Sequence, residues 1–241
     1  MSNPIIYKYI NNKNYGNVLF LHGFGQTKEM MMPLGKLIKK YANILIIDLP
    51  GNSNNPLTKP FDVNDYLDYI ENILKEENFQ PSLIVGHSFG GKLASFYTLR
   101  HSVPLLLLAP SSIKPPFSFK KTFRIGMYKC FKFLKKIKLV KNIPPPYLGS
   151  IDYQSTKGIS RISFLKIVNS YLTKSNLKSI KSDVYIIYGK NDQQITYKQM
   201  KKFKKYCKTC HLIVIHGDHF AYLLNANAVA SLILAILQEK K

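Results

Sequence analysis

The chain has 241 residues and a hydrophobic content of 46%, which suits one α/β domain with a single core. Its net charge is +22, but 32 of its 35 basic residues are Lys. Arg is the residue that usually forms the hydrogen bonds to base edges and phosphates in nucleic-acid-binding proteins. We therefore expect mostly solvated lysines, which argues against specific nucleic-acid binding.

Seven apolar segments are predicted to be β-strands. Several are continuous runs of Val, Ile and Leu, as expected for strands that are covered on both faces. In chain order they are residues 5–9, 18–22, 44–48, 82–86, 105–109, 184–189 and 211–215. Helical patterns lie at Glu29–Tyr41, Asp62–Glu77 (with Asp62 as N-cap), Gly91–Arg100, Tyr197–Tyr206 and Ala221–Gln238. This alternation predicts an α/β fold with a doubly wound, mostly parallel sheet.

The interval between the fifth and sixth strands differs in charge from the rest of the chain. Residues 111–182 hold 16 Lys and Arg but a single acid, Asp152. Between proline clusters at 115–116 and 144–146, apolar residues recur every three or four positions over residues 122–140, with lysines on the other side. We expect a basic amphipathic helix there. The predicted division is a core of residues 1–110 and 183–241 and a helical insertion of residues 111–182.

Polar residues follow five of the predicted strands. His22 follows the second strand, Asp48 the third and Ser88 the fourth. Asp192 follows the sixth strand and His219 the seventh. Because the carboxyl ends of parallel strands meet at one edge of a sheet, we expect a functional site among these loops.

The segment Gly86-His87-Ser88-Phe89-Gly90 predicts how the serine is presented. G-x-S-x-G between a buried strand and a helix is typical of a nucleophile elbow, in which the turn is so sharp that the flanking positions must be small. The serine then projects from the sheet at a helix N-terminus, where N–H groups favour negative charge. A hydroxyl also needs a base and an acid that orients the base. His219 is the best candidate base and Asp192 the best orienting acid.

With these motifs the chain resembles the α/β-hydrolase fold superfamily, in particular its compact capped esterase-like and lipase-like members, and it is also similar to carbon–carbon bond hydrolases. The resemblance implies a catalytic triad of Ser88, Asp192 and His219, in the family's chain order. It implies an oxyanion hole formed by the backbone N–H groups of Phe24 and Phe89, and a cap at residues 111–182.

One loop departs from the family pattern. Many relatives have D-x-P-G-x-G-x-S after the third of these strands, whereas this chain has Asp48-Leu49-Pro50-Gly51-Asn52-Ser53-Asn54-Asn55. The second glycine is missing, so we expect the pocket wall to differ there.

Three other residues are weaker candidates for the site. His216 follows its strand directly and is expected to be a loop residue. Asp183 precedes its strand, which places it at the wrong edge of the sheet, whereas Asp48 lies at the right edge and remains an alternative acid.

The segment Cys207-Lys208-Thr209-Cys210-His211 matches the C-x-x-C-H spacing of haem attachment. Covalent haem would require an exported chain and an axial ligand, and zinc would require two further ligands. We interpret the segment as a loop between a helix and a strand. The chain has three cysteines, no secretory signal pattern and no apolar window of about eighteen residues, which predicts a cytoplasmic location.

The sequence thus predicts a serine hydrolase that cleaves a small acyl ester or thioester without a cofactor or metal. Two alternatives stay open: a carbon–carbon bond hydrolase with the same triad, and a non-catalytic binding protein on the same fold. A lysine-rich nucleic-acid binder is a third alternative, with no aromatic stacking motif to support it. The basic insertion is either a plain lid or a surface that attracts acyl-CoA, an acyl-carrier protein, phospholipid or an anionic membrane.

Overall fold

The structure is a computed structural model and describes residues 6–11, 16–142, 144 and 151–239. Ile5 and most of the predicted proline cluster at 144–146 lie outside the described residues. In the part that is described, seven strands form one sheet in the order β1-β3-β2-β4-β5-β6-β7. They are β1 Ile6–Tyr9, β2 Asn17–Leu21, β3 Asn43–Ile47, β4 Leu83–His87, β5 Leu105–Leu108, β6 Val184–Gly189 and β7 Cys210–Ile215.

The predicted doubly wound, mostly parallel sheet is confirmed. β1 runs antiparallel to β3 at one edge, with Ile6 opposite Ile47. The other neighbouring strands pair in parallel. The continuous apolar run of β5 is buried along its whole length because helices cover both faces of the sheet.

Helices form a layer on each side of this sheet. α1 and α10 cover one face, where they pack on side chains such as Phe20 and Val85. α2, α3 and α8 cover the other, over side chains such as Leu19 and Ile84. The helices are α1 Met32–Ile38, α2 Val63–Glu76, α3 Phe89–His101, α4 Phe119–Lys136, α5 Ile151–Ser155, α6 Gly158–Val168, α7 Lys174–Ser179, α8 Tyr197–Tyr206, α9 Ala221–Leu224 and α10 Ala226–Gln238.

Two of the predicted helices are interrupted. The predicted Glu29–Tyr41 helix is a 3₁₀ turn, Lys28–Met30, followed by α1 with Pro33 in its first turn. Proline suits that position because the first N–H groups of a helix have no partner within it. The predicted Ala221–Gln238 helix breaks at Asn225, whose side-chain amide donates to the Ala221 carbonyl at 2.8 Å. The α2 prediction is confirmed, with a capping box at Asp62.

The chain between β5 and β6 holds α4 to α7, of which only α4 was predicted from the sequence. α6 packs on the core through Phe164 and Ile167, both buried. A backbone hydrogen bond joins the two ends of the segment, since the Leu172 N–H donates to the Ser112 carbonyl at 2.9 Å. No helix in the described ranges is both long and apolar enough to cross a membrane.

Candidate active site

The turn between β4 and α3 holds Ser88 in a strained conformation. Its φ of 49° and ψ of −106° lie outside the regions that L-residues favour. The turn is possible because Gly90 approaches β2 closely: a Cβ on Gly90 would lie 2.2 Å from the Leu21 carbonyl oxygen. The Ser88 carbonyl accepts hydrogen bonds from the N–H groups of Lys92 at 3.0 Å and Ser111 at 3.1 Å. These contacts hold the start of α3 against the sheet edge, as the sequence predicts for an elbow.

His219 and Asp192 are brought together from two different loops. Asp192 follows β6, His219 follows β7, and Nδ1 of the imidazole lies 2.8 Å from Oδ2 of the carboxylate. Because a carboxylate only accepts hydrogen bonds, Nδ1 carries a proton and donates it to Oδ2, which leaves Nε2 as the ring nitrogen that faces other partners. Both residues are buried. The close approach of the two loops requires Gly189, where a Cβ would lie 2.0 Å from the Asp218 carbonyl oxygen.

Hydrogen bonds keep the Asp192 carboxylate ionised. Burial on its own would raise the pKa of this group, but the hydrogen bond from His219 and those from the backbone lower it below its usual value. The backbone donors are the N–H groups of Gln194, at 2.7 Å, and Ile195, at 2.9 Å, both to Oδ1. Each carboxylate oxygen therefore has a defined role: Oδ1 is held by the chain, and Oδ2 faces the imidazole.

His87 links the serine turn to His219. Its ring lies 4.8 Å from the His219 ring, and its Nε2–H donates to the His219 carbonyl oxygen at 3.1 Å. Burial lowers the pKa of His87 to about 3, with a further contribution from His219, so this ring is neutral at physiological pH. Because His87 and Ser88 are adjacent in the chain, this contact brings the serine turn next to the His219 loop. Sequence reasoning missed this role: His87 is a variable position of G-x-S-x-G.

The two residues expected to supply backbone N–H groups also lie near each other. Phe89 is the first residue of α3, directly after Ser88, and Phe24 lies in the loop after β2. Their rings contact edge to face, with centroids 5.9 Å apart. The Phe24 loop is closed by Gln26, whose side-chain oxygen accepts from the Gly23 N–H at 2.9 Å. The two segments that would form an oxyanion hole are therefore adjacent.

A side-chain network closes the loop after β3, in which the exposed Ser53 stands at the position of the missing glycine. Asn52 accepts the N–H groups of Asn54 and Asn55 at 2.8 and 2.9 Å, and its own amide donates to the Gln26 carbonyl at 3.0 Å. His22 joins the same wall, because its Nε2 accepts from the Leu49 N–H at 2.9 Å. These contacts join the loop after β3 to the loop after β2.

The alternative residues lie elsewhere. Asp48 is occupied by Lys28, which donates from its backbone N–H at 2.6 Å and from Nζ at 2.9 Å. The resulting hydrogen bonds outweigh burial and lower the pKa of Asp48. His216 is exposed at the end of β7, and Asp183 lies at the opposite edge of the sheet, where its carbonyl accepts from the Leu105 N–H.

The Cys207–His211 segment is structural in the folded chain. Both cysteines are buried free thiols, and burial raises the pKa of Cys210 to about 12. His211 is exposed and stacks on Tyr185 with ring centroids 5.0 Å apart. Within residues 6–11, 16–142, 144 and 151–239, no group of three or more His, Cys, Asp or Glu side chains is arranged to hold a metal ion.

Lys92 is a buried cation near the site that the sequence did not single out. Its Nζ donates to the Ile167 carbonyl at the end of α6 at 2.8 Å and lies 4.7 Å from the Tyr171 ring centre. Burial lowers its pKa to about 8. The contact joins α3, which begins at the serine, to the helices inserted between β5 and β6.

Comparisons with known proteins give one family. A model described as "Alpha/beta hydrolase family" matches residues 18–232. A pimeloyl-[acyl-carrier protein] methyl ester esterase from Pseudoalteromonas atlantica is 24% identical over 170 residues, which cover 70% of this chain and 59% of that esterase. Monoacylglycerol lipase ABHD6 from Homo sapiens is 22% identical over 252 residues, which cover 92% of this chain and 75% of the lipase.

Solved structures share the fold. The meta-cleavage product hydrolase from Pseudomonas fluorescens IP01 superposes with a TM-score of 0.72 over 98% of this chain and 94% of its own. Its sequence identity is 16%, so this likeness concerns the fold alone.

Proposed function

Because the chain belongs to the alpha/beta hydrolase family and is similar to esterases and lipases, we propose that it is a serine hydrolase of small acyl esters or thioesters. In this proposal Ser88 is the nucleophile, His219 the general base and acid, and Asp192 the group that orients the imidazole. The observation that carries it is the 2.8 Å hydrogen bond between His219 Nδ1 and Asp192 Oδ2.

The positions of the protons in the site support this assignment. The buried carboxylate of Asp192 fixes the proton on Nδ1 of His219, so the lone pair of Nε2 is available to the Ser88 hydroxyl. When Nε2 takes the proton of the Ser88 hydroxyl, the ring becomes an imidazolium beside an ionised Asp192, and the charges balance. His87 stays neutral because of its low pKa, so it does not add a second positive charge beside the imidazolium.

The reaction follows from these roles. The Ser88 oxygen attacks the acyl carbon, and the backbone N–H groups of Phe24 and Phe89 receive the negative charge on the carbonyl oxygen. Loss of one such donor typically costs about 2.7–4 kcal/mol of transition-state stabilisation. His219 then protonates the leaving alcohol or thiol, and a water molecule activated by His219 hydrolyses the acyl-enzyme. These steps require no cofactor or metal.

We further propose that residues 111–182 form a cap over this site and that the substrate is a small acyl compound, including anionic ones such as acyl-CoA, acyl-carrier protein or phospholipid esters. The charge of the segment, 16 basic residues against one acid, would raise the local concentration of anions. Two relatives are named for an acyl-carrier-protein ester and for monoacylglycerol. We also propose a cytoplasmic location, because three cysteines are a small and odd number that does not suit a disulfide framework.

A panel of p-nitrophenyl esters and acyl-CoA thioesters of graded chain length tests the proposal. Ser88→Ala should reduce kcat by at least about 10³-fold while circular dichroism and Tm stay near wild type. Ser231→Ala, at an exposed position in the middle of α10, is the matched control and should keep full activity. Steering by the basic segment predicts that kcat/KM for acyl-CoA falls with added salt while that for neutral esters does not.

Other outcomes of the panel separate the alternatives. Hydrolysis of a carbon–carbon bond in dienoate substrates, without turnover of esters or thioesters, would identify a carbon–carbon bond hydrolase with the same triad. Wild-type activity in Ser88→Ala would remove the nucleophile assignment. Binding of acyl ligands without any turnover would identify a non-catalytic binding protein.

A further inference from the structure

Large apolar side chains are unusually exposed in the segment between β5 and β6. Among the described residues, ten of the sixteen large hydrophobic side chains that are exposed lie between residues 117 and 165. All the exposed phenylalanines of the described ranges belong to this group: Phe117, Phe119, Phe123 and Phe133, which are 61–83% exposed. Contiguous exposed apolar surface of this kind marks a binding surface on a soluble protein.

The apolar residues of α4 form one broad face. At 100° per residue, the exposed Phe119, Phe123 and Phe133 fall within a sector of about 80° of the helix. We call this sector the α4 outer face. The half-buried Leu134, Met127 and Phe131 continue this face on one side of that sector. Phe117 extends it beyond the N-terminus of the helix, since its ring contacts that of Phe119 with centroids 4.9 Å apart.

Lysines border the α4 outer face on the solvent side. At 100° per residue, the exposed Lys129 and Lys136 lie within about 60° of its edge, and the exposed Lys132 and Lys135 lie farther round the helix. Beside Phe117 lies a groove of about 370 Å³, lined in part by Lys114, Lys198 and Lys202. An apolar strip with a cationic border and a cationic groove complements a surface that is apolar inside and anionic at its rim.

We propose that the α4 outer face and this lysine groove dock the protein on an anionic lipid bilayer, with the phenylalanines inserted below the headgroups and the lysines at the phosphates. A second copy of this chain is a poor occupant, because two segments with a charge of +15 each would repel. An acidic protein partner would explain the lysines but not four exposed phenylalanines in one strip. The docking does not depend on the triad.

Vesicle flotation tests the surface directly. The probes are vesicles of phosphatidylcholine with about 30% phosphatidylglycerol and vesicles of phosphatidylcholine alone. The wild-type protein should bind the anionic vesicles at least about tenfold more strongly, and binding should weaken as salt rises from about 0.05 to 0.5 M. The triple variant Phe119→Ser, Phe123→Ser, Phe133→Ser should bind at least about tenfold more weakly, because it has no phenyl rings at these positions to transfer from water into the bilayer.

Matched variants separate insertion from general charge. Leu37→Ser removes an exposed apolar side chain of α1, outside the segment between β5 and β6, and should bind like wild type. In the groove, the double variant Lys198→Gln, Lys202→Gln should weaken binding by about tenfold or more. Lys201→Gln, Lys205→Gln makes the same charge change elsewhere on α8 and should have a clearly smaller effect.

Several results would overturn the proposal. These are failure of the wild type to bind anionic vesicles at low salt, unchanged binding of the triple Phe variant, and equal effects of the two lysine pairs. Concentration-dependent dimerisation that the triple Phe variant abolishes would assign the surface to a second copy. Tighter binding to an acidic carrier protein than to vesicles, unaffected by the triple variant, would assign the lysines to a protein partner. Ser88→Ala should bind vesicles like wild type, so a failed hydrolase assignment leaves this test standing.

Discussion

Replacing Asp192 by Asn is the change whose consequences the site geometry predicts in most detail. In the folded protein, Oδ1 accepts two backbone N–H groups, from Gln194 and Ile195, and Oδ2 accepts Nδ1–H of His219. An asparagine must keep its oxygen toward the two backbone donors and so turns its NH₂ group toward the imidazole. That group donates, so Nδ1 must now accept, and the proton moves to Nε2. The base then has no lone pair for the Ser88 hydroxyl.

The expected magnitude is large for activity and modest for stability. A wrong histidine tautomer in a triad lowers kcat by about 10⁴-fold, which corresponds to about 5 kcal/mol of transition-state free energy. The shape of the side chain is unchanged, and the fully buried carboxylate loses only its charge-assisted hydrogen bonds, worth about 1.5–3 kcal/mol. The variant should therefore fold but turn over very slowly.

The assay is ester hydrolysis with thermal unfolding measured in parallel. Asp218→Asn is the matched control, since this exposed neighbour of His219 accepts from the Phe220 N–H whereas the imidazole donates to Asp192, and its kcat should stay within about threefold of wild type. Asp48→Asn tests the alternative acid and should affect stability more than kcat, because Asp48 holds Lys28. The reasoning is refuted if Asp192→Asn keeps kcat within about tenfold of wild type, or if Asp48→Asn is the more damaging to catalysis.

Two further predictions concern the elbow and its histidine. Gly90→Ala should destabilise the fold by about 3 kcal/mol or more in chemical denaturation, since its Cβ would meet the Leu21 carbonyl at 2.2 Å. Gly126→Ala, where the added Cβ would have nothing within 4 Å, should be neutral or stabilising by up to about 1 kcal/mol. Equal effects of the two substitutions would contradict this packing. His87 has a folded-state pKa of about 3, below its unfolded value, so the unfolded chain binds more protons between about pH 3 and 6.5 and stability falls as pH falls through that window. His87→Gln should reduce the slope of unfolding free energy against pH by up to about 1.4 kcal/mol per pH unit near pH 5, and an unchanged slope would show that another group titrates there.

Residue periodicity was enough to predict the sheet and the edge at which the candidate site forms. Continuous apolar runs such as Leu105–Leu108 indicate strands that are buried on both faces, and the structure has them as central parallel strands. Because the topology of such a sheet sends the strand ends to one edge, Asp192 and His219 could be paired from sequence although they lie far apart in the chain.

Features that depend on three-dimensional packing could not be predicted in this way. The neutral His87 ring against His219, the buried Lys92 that joins α3 to α6, and the closure of the β3 loop by Asn52 each rest on contacts between distant segments. The short helices α5 to α7 lack a clear apolar period, and the break at Asn225 comes from a side chain that competes for a backbone carbonyl. Local patterns carry no information on such contacts.

Covalent labelling with a fluorophosphonate probe, followed by peptide mass spectrometry, tests the reactivity of the serine most directly. We predict a single adduct on the Ser88 peptide of the wild-type protein, absent in Ser88→Ala and formed far more slowly in Asp192→Asn. A wild-type protein that stays unmodified, or an adduct on another residue, would contradict the proposal that this hydroxyl is activated by His219.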